Sequence, residues 1–200
     1  MTAHLKDIVI SDLYKSFGAG AVLRGFSCRI PAGGKVCVTG ASGQGKTTLL
    51  RILMGLETAD AGTVSGLDGQ RLSAVFQEDR LCENLSAFSN VMMVNKGSLR
   101  RAAVIAALEA VGLKGHEYRP VRELSGGMRR RAVITRALLA EYDVLFLDEP
   151  FKGLDEDTHR TVMTFAREKS QGKTVILVTH DPREGEFIGA VRVQLPDAGA

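Results

Sequence analysis

The chain has 200 residues, 44% of them hydrophobic and 24% charged, and a formal net charge of +3. This length suits one domain with a full hydrophobic core, and the small net charge gives no reason to expect nucleic acid as a partner. No apolar run approaches the length of a membrane span, and residues 1–10 lack the apolar core of a signal peptide, so a cytoplasmic location is expected.

The first thirty residues alternate short apolar runs with turn residues. The runs lie at 8–10, 22–23 and 26–30, and Gly18 and Gly20 lie between the first two. Short apolar runs bounded by glycine and other turn residues are typical of strands joined by tight turns. Residues 5–30 are therefore predicted to form antiparallel strands.

The next stretch joins the apolar run 36–38 to the apolar segment 49–56 through a glycine-rich turn with the spacing of a P-loop. Its glycines let backbone N–H groups approach an anion, and the helix beginning near Lys46 adds its positive dipole end. Lys46 can neutralise phosphate charge, and Thr47 offers a hydroxyl to Mg²⁺. A plain glycine turn with a solvated lysine is the competing interpretation. The residues predicted to bind nucleotide are Gly40, Ala41, Ser42, Gly43, Gln44, Gly45, Lys46, Thr47 and Thr48.

The sequence pattern in the middle of the chain predicts a strand pair, followed by a small helical insert at about residues 78–140. Residues 63–77 read as two short strands leading to Gln77, whose polar side chain points into a cleft or into solvent. A helix is expected from Ser98 to Val111, with Gly112 as its stop, and a second from residue 124 to about 141. The glycines that open this second helix form either an anion-binding terminus or a hinge. Arginines 129–131 are expected to lie on a solvated face.

Two buried-looking strands end in polar residues. The run 144–147 is followed by Asp148 and Glu149, and the run 175–179 is followed by His180. Parallel sheets place ligands beyond the carboxyl ends of their strands, so these side chains are expected near the P-loop mouth. Asp148 would hold Mg²⁺, Glu149 would polarise an attacking water, and His180 could bond a γ-phosphate. His4, His116 and His159 have no matching partners and are given no role.

With these motifs in this order, the sequence resembles the ATPase subunit of an ATP-binding cassette (ABC) transporter. The residues that carry the resemblance are the P-loop, Gln77, 124–128 (LSGGM), 144–149 (VLFLDE), 153–155 (GLD) and His180. The resemblance implies an α/β fold, with a P-loop NTPase core of mainly parallel sheet, an N-terminal antiparallel β subdomain and a small helical subdomain. It also implies one nucleotide-binding domain over residues 1–200.

The resemblance assigns roles to further residues. Phe17 matches the family's adenine-stacking aromatic, although taken alone it would be placed in the core. Gln77 matches the residue that senses magnesium and links to the membrane partner, and Asp155 matches the acid that communicates across the dimer. His180 matches the switch histidine. The signature residues that clasp the ATP of the opposite subunit are Ser125, Gly126 and Gly127.

The implied working unit is a head-to-tail homodimer closing around two ATP molecules with Mg²⁺ and driving a transmembrane permease. An extracytoplasmic binding protein is a further candidate partner, and the expected location is the inner face of the cell membrane. Residues 76–81 with 90–91 and 148–151 look most like the nitrate, sulfonate and taurine importers. The spacing from Lys46 to Ser125 is short for the family, which implies a trimmed helical insert and strand pair. The sequence therefore does not identify the permease or the transported substance.

Two other functions fit the sequence less well. A soluble cassette ATPase acting on nucleic acid or the ribosome fits less well, because the net charge is modest and the chain has one cassette without a basic arm. A decayed site that only binds nucleotide is disfavoured because the residues needed for hydrolysis, Lys46, Asp148, Glu149 and His180, are all present.

Overall fold

The computed structural model describes residues 5–18, 20–95 and 99–196. Within these ranges the chain forms two sheets and six α-helices. The strands are β1 (Ile8–Phe17), β2 (Gly20–Ile30), β3 (Lys35–Thr39), β4 (Ala61–Ser65), β5 (Leu72–Val75), β6 (Val144–Asp148), β7 (Thr174–Val178) and β8 (Val191–Gln194). The helices are α1 (Lys46–Leu53), α2 (Ala87–Met93), α3 (Arg101–Ala110), α4 (Gly126–Leu139), α5 (Glu156–Lys169) and α6 (Pro182–Ile188).

A five-stranded parallel sheet, ordered β5-β6-β7-β3-β8, forms the centre of the molecule. Strands β6 and β7 are buried along their whole length, as expected when both faces of a parallel sheet are covered. Alternate residues face different cores. Val144 and Phe146 pack with α1 and the antiparallel sheet, whereas Leu145 and Leu147 pack with the helices of the insert. The predicted α/β fold is confirmed.

The N-terminal antiparallel sheet has the order β2-β1-β4. The prediction of antiparallel strands over residues 5–30 therefore holds, but the predicted strand pair at 63–77 is wrong. Strand β4 pairs with β1, whereas β5 pairs in parallel with β6 in the central sheet. The physical reason lies at Gly62 and Gly66, where an added Cβ would collide with the backbone of Asp12 and Asp7 on the β1 side. Glycine here lets β4 lie against β1.

Helices α2, α3 and α4 pack together as the predicted insert. The predicted start of α3 at Ser98 lies outside the described residues, and its end agrees with the stop at Gly112. Helix α2 was missed because it has only seven residues, too few for a clear periodicity, although Ser86 caps it by accepting a hydrogen bond from the Ser89 amide. Across the described ranges, every helix is too short or too polar to cross a membrane.

Candidate functional site

The P-loop joins the end of β3 to the start of α1. Gly43 and Gly45 both have positive φ angles, 82° and 85°. A Cβ on Gly45 would lie 2.6 Å from the Val22 carbonyl oxygen of β2, so no larger residue fits between loop and strand. Gly45 is also the N-cap of α1 and supplies no side-chain cap, and the first turn contains no acid. The positive end of α1 is therefore left for an external anion.

Lys46 is a buried cation held by its own loop. Its Nζ donates hydrogen bonds to the carbonyl oxygens of Gly40 and Ala41, each at 2.8 Å. Among the described residues no carboxylate lies within ion-pair distance of this Nζ. A buried ammonium balanced mainly by backbone dipoles is well suited to bind phosphate oxygens.

Asp148 ends β6 beside the P-loop. Burial raises the pKa of its carboxyl above the ordinary value, and the charge of Glu149 acts in the same direction; a hydrogen bond with Thr47 opposes the shift. Its Oδ1 is buried and has no hydrogen-bond partner within the described part of the chain. An unsatisfied carboxylate oxygen beside a threonine hydroxyl fits a magnesium ion held through few protein ligands. No cluster of three metal-ligating acids, histidines or cysteines occurs among the described residues.

Glu149 is the next residue and has a positive φ of 46°, unusual outside glycine. Its amide donates to the Val178 carbonyl oxygen of β7 at 2.9 Å. Its Oε1 lies 2.6 Å from His180 Nε2, and its Oε2 lies 3.5 Å from Lys152 Nζ. The carboxylate is thus buried, and His180 and Lys152 hold it at the sheet edge. A strained backbone, such as the positive φ of Glu149, is most common at functional sites.

A cavity of about 170 Å³ is lined by half of the predicted site residues, including most of the P-loop. Its wall is formed by the P-loop, by Gln77 after β5, by Glu149 after β6 and by His180 beyond β7. The side chain of Gln44 folds back onto the P-loop, and its Oε1 accepts a hydrogen bond from the Ala41 amide. The lining residues are Ser42, Gly43, Gly45, Lys46, Thr47, Thr48, Gln77, Glu149 and His180.

The signature glycines Gly126 and Gly127, but not Ser125, line a different cavity of about 390 Å³, which shares only Gln77 and Glu149 with the first. Gly126 and Gly127 have ordinary helical φ angles, and Ser125 caps α4 by accepting a hydrogen bond from the Met128 amide. An added Cβ on Gly126 would have no neighbour within 4 Å. The second cavity is lined by Gln77, Asp79, Gly126, Gly127, Arg130, Glu149, Lys152 and Gly153.

Two further predicted residues lie at element ends. Phe17, the last residue of β1, is 52% exposed, so the interpretation as a core residue is wrong; Lys15 Nζ lies 5.1 Å from its ring centroid. Asp155 caps α5 by accepting a hydrogen bond from the Thr158 amide at 3.0 Å. This hydrogen bond holds the pKa of the Asp155 carboxyl below its ordinary value.

The expectation of a solvated face at residues 129–131 is wrong for Arg130, which is buried and bonds the carbonyl oxygens that follow β5 and β6. Arg131 is also engaged, donating to the carbonyl oxygens of Val111 and Gly112. Charge runs predict exposure only on average, and the chain's fold brings this helix against a sheet edge rich in carbonyl groups. His159, which was given no partner, bonds Glu184 at 2.8 Å.

A glycine-rich loop between a parallel strand and a helix, with two carboxylates at the end of a neighbouring strand, defines a P-loop nucleotide-hydrolysing ATPase. The family model described as ABC transporter matches residues 23–152. The chain belongs to this family, and it is an ATP-binding and ATP-hydrolysing subunit of an ABC transporter.

Curated relatives and a solved structure agree with this assignment. An aliphatic sulfonates import ATP-binding protein of Rhizobium johnstonii is 44% identical, covering 96% of this chain and 74% of the relative. A sulfate/thiosulfate import ATP-binding protein of Xylella fastidiosa is 39% identical over 88% of this chain and 57% of the relative. The fold is similar, with a TM-score of 0.82 and 25% identity over 96% of this chain and 95% of the other, to a dimeric post-hydrolysis ATP-binding cassette bound to ADP and Pi.

Proposed function

We propose that two copies of this chain bind head to tail around two ATP molecules and that hydrolysis drives a membrane permease. The observation that carries the proposal is that the signature glycines and the P-loop line different, adjoining cavities. Gly126 and Gly127 line one cavity, whereas Lys46 and Thr47 line the other. A signature that does not line its own chain's P-loop cavity is available to the ATP of a partner, and the similar solved cassette is dimeric.

Each site residue has a role in this proposal. Lys46 and the loop amides bind the phosphates. Thr47, Asp148 and Gln77 would hold Mg²⁺, which supplies positive charge to offset the charge of the phosphates. Glu149 orients and polarises the attacking water, and His180 holds the Glu149 carboxylate through the 2.6 Å contact. The partner's phosphates are received by Ser125, Gly126 and Gly127, with Asp155 at the adjoining surface.

The cargo is proposed to be a sulfonate-like anion that is imported. Aliphatic sulfonate import proteins from Rhizobium johnstonii and Nocardia farcinica are 44% and 40% identical to this chain. A thiamine import ATP-binding protein of a Chelativorans species is 38% identical, a slightly weaker match. An import system of this kind would add a permease and an extracytoplasmic binding protein, and this subunit would sit on the inner face of the membrane.

Affinity purification from detergent-solubilised membranes of the native host tests the transport role. The tagged chain should retain a polytopic membrane protein, and the Lys46→Ala variant serves as a control for dependence on nucleotide. Retention of ribosomes or DNA in an ATP-dependent manner, with no membrane protein, would contradict the transport proposal and favour the nucleic-acid alternative.

The role of Phe17 can be tested by fluorescence, since the chain contains no tryptophan. Phe17→Trp should report ADP binding through a change in emission, because a stacked adenine alters the indole environment. Phe17→Ala should weaken ADP binding by about 1 to 3 kcal/mol, the usual worth of one base stacking on an aromatic ring.

Tyr118→Trp is the matched control for this probe, because Tyr118 is an exposed aromatic in the helical insert and lines neither cavity. Its emission should not respond to ADP. Unchanged ADP affinity in Phe17→Ala would remove the stacking role.

A further inference from the structure

Arg130 is a buried arginine whose guanidinium is fully engaged by oxygen atoms. It lies in the second turn of α4, and its side chain is 6% exposed. All three nitrogens donate hydrogen bonds, so the five N–H donors of the group are accounted for. The acceptors are the backbone carbonyl oxygens of Pro150 (2.7 Å), Phe76 (2.6 Å), Gln77 (3.3 Å), Asp148 (3.2 Å) and Glu149 (2.6 Å), and Asp79 Oδ1 (3.1 Å).

These carbonyls belong to the ends of two neighbouring strands. Strands β5 and β6 are paired in parallel and end at Val75 and Asp148. The chain beyond each strand end leaves the sheet, and its carbonyl oxygens need partners elsewhere. The planar fork of an arginine reaches both strand ends at once, which the single ammonium of a lysine cannot do.

Arg130 also completes the support of Glu149. The Glu149 amide donates to the Val178 carbonyl oxygen of β7, and its carbonyl oxygen accepts from Arg130 Nη2. The peptide groups on both sides of this residue are thus held while its φ is 46°. Without one of these bonds the residue would relax toward an ordinary conformation, and its carboxylate would move relative to Lys46 and Thr47.

We propose that Arg130 is a positioning residue that holds three parts together: the N-terminal end of α4, Glu149, and the loop after β5 at residues 76–79 (the Gln77 loop). The orientation of Glu149 then depends on the position of α4. The helix carries Gly126 and Gly127 one turn before Arg130. A shift of the signature end is therefore transmitted to the carbonyls of Gln77 and Glu149. This inference rests on the hydrolytic role proposed for Glu149.

The test is Arg130→Lys in the full chain, with ATP affinity and single-turnover hydrolysis measured separately. Lysine keeps the buried positive charge and can donate to some of the carbonyls, so folding and ATP binding should persist with an affinity change within about twofold. The hydrolysis rate should fall about 10- to 100-fold, as expected when a reacting group is misplaced. Combining Arg130→Lys with Glu149→Gln should give little loss beyond that of Glu149→Gln alone, because Arg130 acts through the position of the Glu149 side chain.

Arg71→Lys is the matched control at the opposite ends of the same two strands. Arg71 precedes β5 and clamps Asp143, which precedes β6, with two hydrogen bonds of 2.9 and 3.0 Å. This variant should leave the hydrolysis rate within about twofold of the wild type, since it weakens a more exposed arginine clamp that joins the same two strands away from the site.

Three results would overturn the inference. They are a loss of rate in Arg130→Lys no larger than in Arg71→Lys, a loss of ATP binding in Arg130→Lys, and effects of Arg130→Lys and Glu149→Gln on the rate that multiply. Glu149→Gln separates this inference from the proposed function. If Glu149→Gln hydrolyses ATP normally, the proposed role of Glu149 fails; if only Arg130→Lys is normal, the inference alone fails.

Discussion

Glu149→Gln should lower ATP hydrolysis by about 10²- to 10⁴-fold while leaving ATP binding in place, because a general base contributes that much to a rate. Glutamine keeps the size of the side chain and can still bond His180, so the site should stay assembled. Its amide cannot accept a proton from water. With hydrolysis blocked, ATP should accumulate between two chains, and a dimer of twice the monomer mass should appear by light scattering only when ATP is present.

Glu184→Gln provides a matched control for this variant. Glu184 is also buried and also bonds a histidine, with His159 Nε2 2.8 Å from its Oε1, but it lines neither cavity. Turnover in Glu184→Gln should remain within about twofold of wild type if only the carboxylate at the P-loop acts in hydrolysis. Normal turnover in Glu149→Gln would remove Glu149 from the mechanism.

Lys46→Ala is expected to abolish hydrolysis and to weaken ATP binding about 10- to 150-fold. The magnitude follows from the loss of a hydrogen-bonded charge, worth about 1.5 to 3 kcal/mol, at the phosphates. The helix α1 and the loop glycines remain, so some affinity persists. Titration of ATP by calorimetry measures the binding loss, and phosphate release measures the loss of turnover.

Lys35→Ala is the control, because Lys35 begins the same strand, β3, at its opposite end, where its Nζ donates to Ser170 Oγ at 3.1 Å. Both lysines are largely shielded from solvent, but only Lys46 lines the P-loop cavity. ATP affinity should therefore be unchanged in Lys35→Ala. An equal loss in both variants would show that the effect comes from general destabilisation of β3 and would contradict the phosphate contact.

The sequence predicted those parts of the site that depend on local chemistry. The P-loop requires glycines at fixed spacing before a helix, and Asp148 and Glu149 follow a short apolar run that is typical of a buried strand. Topology then brings Asp148, Glu149 and His180 to one sheet edge without further information. For Gln77 the preceding strand left two alternatives, a cleft or solvent, and the structure places the residue in the wall of the P-loop cavity.

What the sequence missed depends on contacts between distant segments. Residues 63–77 have strand character, but propensity does not choose a partner, and β4 and β5 join different sheets. Arg130 lies in a run of three arginines, and a run of charges predicts a solvent-exposed face. Its burial follows only from the carbonyl oxygens that β5 and β6 leave at their ends. The left-handed conformation of Glu149 has the same origin, because tertiary hydrogen bonds from two sides hold it.

Mixing two inactive variants tests the central claim that each ATP site is shared between two chains. Lys46→Ala removes a P-loop, and Gly126→Glu places a carboxylate where an added side chain has open space, so it should repel a partner's phosphates without disturbing the fold. Each variant alone should be inactive. In an equal mixture about half of the dimers pair one of each and hold one intact site, so about a quarter of wild-type ATPase activity should return. Activity no greater than the sum of the two separate variants would contradict the shared site.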